Sequence, residues 1–324
     1  MPAELTTEVD GRLLGLSNLT KVLFADGYTK AEVINYYLQV APTLLPHLRD
    51  RPVTRIRFPD GTGQDTITFY EKNRPSGCPD WVRSRPVRTS DGIVDYLVVE
   101  DAATLVYLAN LASLELHTPQ WRLSSASADA EGVITLPGRE AADGEPQADL
   151  VVVDLDPGEG TTMVDSAQGS LMVASVLAED GLIPVAKTSG SKGLQVHAAI
   201  APARTEDARH YVKAVGDELV RRFPGRFVLT MAKSDRRGRL YLDFNQNMAA
   251  RNTVTAYSLR ARDKPWVATP LTWDEVAACT SAGGLRFSPE QVMERIAAHG
   301  DLAADLLIDD RPPLPERRPA KAGD

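Results

Sequence analysis

Strand-like and helix-like segments alternate along this chain, and a long loop-rich insertion interrupts them; together these predict an α+β fold. At 324 residues and 43% hydrophobic content, the chain can bury a large core as one big domain or two intimate subdomains. Thr29-Lys30-Ala31-Glu32 is a capping box, opening a helix with apolar spacing through Val33, Ile34, Tyr37, Val40 and Ala41. Pro52 to Phe58 alternates as a strand, which puts Arg55 and Arg57 on one face. Asp60-Gly61-Thr62-Gly63 turns, and Thr66 to Tyr70 returns as the partner strand. Asp101 to His117, dense in alanine and leucine, reads as a helix. Ser124 to Gln147 is rich in Ala, Asp and Gly and predicts a loop-rich connection with one short strand near Val133-Ile134. Ser166 to Glu179 is amphipathic and is expected to pack on the sheet carrying Asp154, and Glu206 to Phe223 reads as another helix. Ser288-Pro289-Glu290-Gln291 starts another, with an N-cap, a proline at the first helical position and an acidic first turn. After Asp310 the composition shifts to Pro, Arg and Lys, and residues 311–324 are expected to form a flexible tail.

The chemistry concentrates at the end of one strand. Leu150-Val151-Val152-Val153 has the composition of a core strand, and it runs into Asp154-Leu155-Asp156 before Pro157-Gly158 stops it. Side chains alternate across a strand, so Asp154 and Asp156 point the same way. Two like charges on one face repel unless a cation lies between them. The same Asp-x-Asp spacing also occurs as a plain turn sequence.

Thr188-Ser189-Gly190-Ser191-Lys192-Gly193 lies between two apolar stretches and reads as strand, Gly-rich turn, strand. Such a turn aims backbone amides at an anion, adds hydroxyl donors and supplies the compact charge of Lys192. A tight hairpin with a solvated lysine would show the same residues. In Arg239-Leu240-Tyr241-Leu242-Asp243-Phe244, Asp243 shares a face with Arg239 and Tyr241. As a third carboxylate it would complete a site for two hard cations, one activating a hydroxyl and one steadying a triphosphate. These parts, with the arginines on either side of Asp243, are those needed to transfer a nucleotidyl group.

The order of segments resembles the polymerase domain of bacterial ligase D, within the archaeo-eukaryotic primase superfamily, from about Leu16 to about Leu307. The matching stretches are Lys21-Val22-Leu23-Phe24, Phe69-Tyr70-Glu71-Lys72, Leu114 to Trp121, Asp154 to Gly160, Thr188 to Leu194, Leu242 to Asn247 and Tyr257 to Arg262. The resemblance implies two β-sheets flanked by helices around a catalytic cleft. It divides residues 1–310 into a DNA-binding part over about 1–100 and a catalytic part over about 101–310. It also implies a template-dependent polymerase, preferring ribonucleotides, that extends DNA 3′ ends in break or gap repair.

Residue by residue, the resemblance implies that Asp154, Asp156 and Asp243 hold two Mg²⁺ or Mn²⁺ ions. His117, Ser189, Gly190, Ser191, Lys192, Gly193, Gln246 and Arg260 fall at nucleoside triphosphate-binding positions. Lys21 and Lys30 fall where ligase-D polymerases hold a downstream 5′-phosphate, and Phe69 and Tyr70 where an aromatic pair stacks on template bases. Lys72, Lys233, Arg236 and Arg251 are further candidate contacts to DNA or phosphate. One departure stands out. Where the family's second motif carries a histidine, this chain has Gln195, which keeps a hydrogen-bonding group but no ionisable ring. His197, on the same strand face, is the candidate substitute.

The implied DNA carries gaps, overhangs or a recessed 5′-phosphate. With no ligase or nuclease module before the end at Asp324, the chain is expected to act alone or with a separate DNA ligase and end-binding protein. A DNA-end binding and bridging module with little synthesis is the rival reading. The net charge of −8 opposes general nucleic-acid binding, but basic residues concentrate at Arg49 to Arg57, Lys72 to Arg74 and Lys233 to Arg239. No apolar run approaches the roughly 20 residues of a membrane span, and the N-terminus lacks a signal-peptide core. Cys78 and Cys279 lie far apart without metal-ligand spacing, which suits a reducing cytoplasm.

Overall fold

The computed structural model describes residues 5–63, 65–138, 143–190, 193–232 and 234–316. Two mixed sheets carry the fold. The first has six strands in the order Phe227–Val228, Leu240–Asp243, Gln147–Pro157, Leu194–Arg204, Val185–Thr188 and Pro270–Leu271. Its central strand, Gln147–Pro157, is antiparallel to both neighbours, with Asp154 opposite Gln195 on one side and Asp243 on the other. Period-two alternation then sorts the residues. Val151, Val153 and Leu155 face a core closed by the helices Met163–Glu179 and Thr205–Arg222, leaving Asp154 and Asp156 on the opposite face.

The second sheet runs Thr253–Val254, Ser113–Thr118, Pro52–Arg57, Gly92–Val98, Ser84–Thr89 and Ile134–Thr135, with the short strand Phe69–Glu71 also paired to Pro52–Arg57. The helices Lys30–Leu48 and Ala102–Asn110 contribute to the core of this half. Thr29 and Glu32 form the expected capping box, and Ser288 caps Pro289–His299. Pro52–Arg57 pairs with both Ser113–Thr118 and Gly92–Val98, so this sheet joins residues from either side of position 100.

Two further expectations need correction. The helix read from Asp101 to His117 ends at Asn110: Ala112 takes a left-handed φ of 57°, and Ser113–Thr118 is a strand. The Leu-Glu-Leu-His alternation outweighs the helix-forming composition, so Glu115 and His117 share one strand face. Nor does the chain fray at residue 311. The Arg311 guanidinium sits 2.7 Å from Asp149, Ala201 N–H donates to Pro312 O at 2.7 Å, and Leu314 packs on the core of the first sheet.

Candidate active site

Between the sheets lies a polar cleft of about 450 Å³. Asp154, Asp156, Ser189, Gly193 and Gln195 line it from one side, and His117, Thr253, Val254 and Arg260 from the other; Arg236, Gln246 and Arg262 also line it. The structure therefore gathers residues from five separate sequence motifs.

The aspartates set its electrostatics. Burial first, then the charges of Asp156 and Asp243, push the Asp154 carboxyl up to about 7, against a hydrogen bond from Gln195. Burial and Asp243 also raise Asp156, while Arg236 opposes them. Three carboxylates on adjacent strand ends, mutually repelling beside an open polar cleft, are the donor set that hard divalent cations take. Asp243 stands at the margin: Gln246 Nε2 donates to its Oδ2 at 2.9 Å, while Asn245 N–H at 3.1 Å and the Tyr241 hydroxyl at 3.3 Å donate to its Oδ1. In this conformation no three His, Cys, Asp or Glu side chains among the described residues are grouped closely enough to hold one ion. If a divalent cation bound here, Asp154 and Asp156 would be the nearer oxygen donors, and Asp243, held by Gln246, Asn245 and Tyr241, would have to give up some of these bonds to join them.

Opposite the aspartates, Glu115 gathers Arg260 and His117. Its buried carboxylate sits 2.8 Å from Arg260 Nη1 and 2.9 Å from His117 Nε2, and accepts the Ala261 N–H at 3.0 Å. Burial holds His117 below its ordinary range, with the hydrogen bond and charge of Glu115 opposing. Glu115 was not among the residues singled out in the sequence, because the segment read as helix. The i, i+2 spacing of Glu115 and His117 was the available signal.

Gln195 and His197 part company. Gln195 Oε1 accepts from Lys187 Nζ at 2.7 Å, which turns its amide nitrogen toward Asp154. Lys187 is buried, pairs with no carboxylate within 4 Å among the described residues, and is lowered to about 7 by burial. It thus puts an amine that titrates near neutrality one hydrogen bond behind Gln195. His197 lies instead in a separate cavity of about 30 Å³, and burial holds it well below its ordinary range. That placement does not support the substitute role considered for it.

The Gly-rich turn is shaped by close approaches. A Cβ on Gly193 would lie 2.4 Å from Leu155 O, and one on Gly190 would lie 2.2 Å from Arg260 Cγ at a φ of 64°. Ser189 Oγ accepts the Gly193 N–H at 3.3 Å. Gly190→Ala is therefore expected to displace Arg260 and raise the nucleotide KM, with a stability loss of about 1 kcal/mol from left-handed strain. Steady-state kinetics beside thermal melting check this; an unchanged KM would contradict the contact.

Outside the cleft, Lys21 and Lys30 stand together. Lys30 Nζ is tied to Ser17 O at 2.7 Å, and Lys21 Nζ lies 2.9 Å from Asp60. Burial, then the charge of Lys21, lowers Lys30 to about 8. Phe69 and Tyr70 are both exposed on an edge strand, where successive residues face opposite sides. Tyr70 OH reaches Asn252 Oδ1 at 3.1 Å, and Asn252 lines the cleft. Arg236 stacks 3.7 Å over the Tyr241 ring. Lys72 and Arg251 do not line this cleft, and Ser191, Lys192 and Lys233 lie outside the described residues.

Residues 29–303 match the family described as LigD, primase-polymerase domain. The chain is 38% identical over 296 residues to the multifunctional non-homologous end joining protein LigD of Mycolicibacterium smegmatis, covering 91% of this chain and 36% of that protein. It is 29% identical over 290 residues to the bifunctional LigD of Bacillus subtilis, covering 89% and 43%. The chain thus spans well under half the length of these relatives. Among solved structures it superposes on the polymerase domain of Mycobacterium tuberculosis ligase D in complex with DNA. There the TM-score is 0.81 at 36% identity, covering 91% of this chain and 98% of that one.

Proposed function

The chain belongs to the LigD primase-polymerase family, and from that premise we propose that it is a template-dependent nucleotidyltransferase extending DNA 3′ ends at breaks or gaps. One observation carries the reading: Asp154 and Asp156 face Arg260 and His117 across a cleft, with Asp243 directly across the ladder from Asp154 at its margin. Divalent cations bound there would activate the primer 3′-hydroxyl and offset charge on the triphosphate. Asp154 and Asp156, joined by Asp243, would hold those cations. Ser189 and the backbone of the Gly-rich turn offer hydrogen-bond donors to the phosphates, while Arg260, Arg262 and Arg236 supply positive charge. Glu115 keeps Arg260 in place without neutralising the rest of the cleft.

Matched ribonucleotides are added in preference to deoxyribonucleotides; equal kcat/KM for the two would refute that part. The DNA carries a recessed 5′-phosphate, held by Lys21 and Lys30. A phosphate there requires both lysines protonated, and Lys30 in the free protein loses its proton as pH rises through about 8. Preference for a 5′-phosphate over a 5′-hydroxyl end is therefore expected in full below that pH and to decline above it. Lys21→Ala with Lys30→Ala should erase the preference while sparing extension of a simple primer-template. Binding assays on gapped DNA across pH 6 to 10 test this; equal binding of both ends by the parent protein at low pH would remove the pocket from the account.

A further inference from the structure

We infer that Lys187 is a positioning residue of the aspartate face: through the Gln195 amide it sets the orientation in which Asp154 presents its carboxylate to a divalent cation. This rests on the polymerase reading above. Strand pairing places Lys187 directly opposite Gln195, Gln195 directly opposite Asp154, and Asp154 directly opposite Asp243. Residues directly opposite one another in an antiparallel pair share a face, so these four side chains form one row across four adjacent strands. Within the row Lys187 and Gln195 are 3% and 4% exposed, and Gln195 and Asp154 line the cleft.

The hydrogen bonds along the row run in one direction. Lys187 Nζ donates to Gln195 Oε1 at 2.7 Å and to Val254 O at 3.0 Å. With Oε1 occupied, the Gln195 amide turns its N–H donors to Asp154, whereas a flipped amide would set its oxygen against that carboxylate. The two ends of a glutamine amide have nearly the same shape, so packing alone does not choose between them; the donor behind it does. The amine carries two hydrogens even when neutral, enough for both acceptors, so the arrangement does not depend on its charge. Val254 pairs with His117 in the second sheet, so the same amine also ties the aspartate wall of the cleft to the wall carrying His117. An apolar side chain would fill this buried position without the cost of desolvating an amine, so packing does not account for a lysine here. Removing a partner that orients a ligating side chain typically weakens metal affinity or activity by about 10–100-fold.

The test measures Mn²⁺ binding without nucleotide or DNA, by loss of the free-ion electron paramagnetic resonance signal. It compares the parent with Lys187→Met, Lys187→Gln, Gln195→Leu and the double variant Lys187→Met with Gln195→Leu. Lys187→Met and Gln195→Leu should each weaken binding about tenfold. The double variant should lose no more than either, because the lysine acts through the amide. Lys187→Gln, which keeps a donor for Oε1, should recover most of the loss. The sign separates positioning from charge: a lysine acting only as a nearby positive charge would, on removal, tighten Mn²⁺ binding. Tighter or unchanged binding in Lys187→Met overturns the inference, and so do additive losses in the double variant. If Lys187→Met does not fold, as judged by circular dichroism, near-parent affinity in Lys187→Gln beside a weakened Gln195→Leu supports the inference, and unchanged affinity in Gln195→Leu overturns it. In each of these cases the polymerase reading stands if the parent extends primers with Mn²⁺. A parent that neither binds Mn²⁺ nor extends primers removes both.

Discussion

Asp243→Ala is expected to abolish nucleotide addition as fully as Asp156→Ala. Asp243 lies directly across the ladder from Asp154 and contributes to the raised pKa of both other aspartates. Removing it takes away one oxygen donor and lets a cation bound by the remaining pair shift. Stabilisation of transition-state charge by a correctly held metal is worth several kcal/mol, which corresponds to a loss of about 10³-fold or more. Asp243 also caps the turn Phe244–Asn247 by accepting the Asn245 N–H, so the alanine variant loses about 1 kcal/mol of stability as well. Asp243→Asn separates the two effects, because it keeps an acceptor for Asn245 and removes the charge. Primer extension should be lost in both variants, while melting temperature falls only in the alanine one. Substantial extension by Asp243→Asn would overturn the three-aspartate assignment.

Glu115→Gln should produce the largest stability loss of any single change in the cleft. The Glu115 and Arg260 side chains are 3% and 11% exposed, so the pair is screened little by solvent. Neutralising Glu115 leaves the Arg260 charge buried without its partner, and breaking a buried pair this way costs about 3–5 kcal/mol. Released from Glu115, Arg260 should also lose its orientation toward the nucleotide and raise its KM. Denaturant unfolding and steady-state kinetics on the same variant measure the two effects. A stability loss below about 1 kcal/mol with an unchanged KM would show that Glu115 is not the anchor.

The sequence made some of these relationships legible and hid others for definable reasons. The face shared by Asp154 and Asp156 follows from strand alternation alone. The capping boxes at Thr29 and Ser288 place two helix starts correctly, because capping is a local interaction. Glu115 was hidden because alanine and leucine upstream of it carried the helix reading past Asn110, and the left-handed turn at Ala112 has no glycine to mark it. Lys187 was hidden for another reason. Its role depends on Gln195 across the hairpin and on the carbonyl of Val254, contacts that only the assembled sheets create.

The central claim is that the aspartate face performs templated nucleotide addition, and single-nucleotide primer extension tests it most directly. A gapped primer-template carrying each of the four template bases is offered each nucleotide in turn, with Mg²⁺ or Mn²⁺, to the parent and to Asp154→Ala with Asp156→Ala. The account predicts addition by the parent that follows the template base, and none by the double variant, which should still bind the DNA. A parent that binds the same DNA yet adds no nucleotide with either metal, or adds one regardless of the template base, would contradict it.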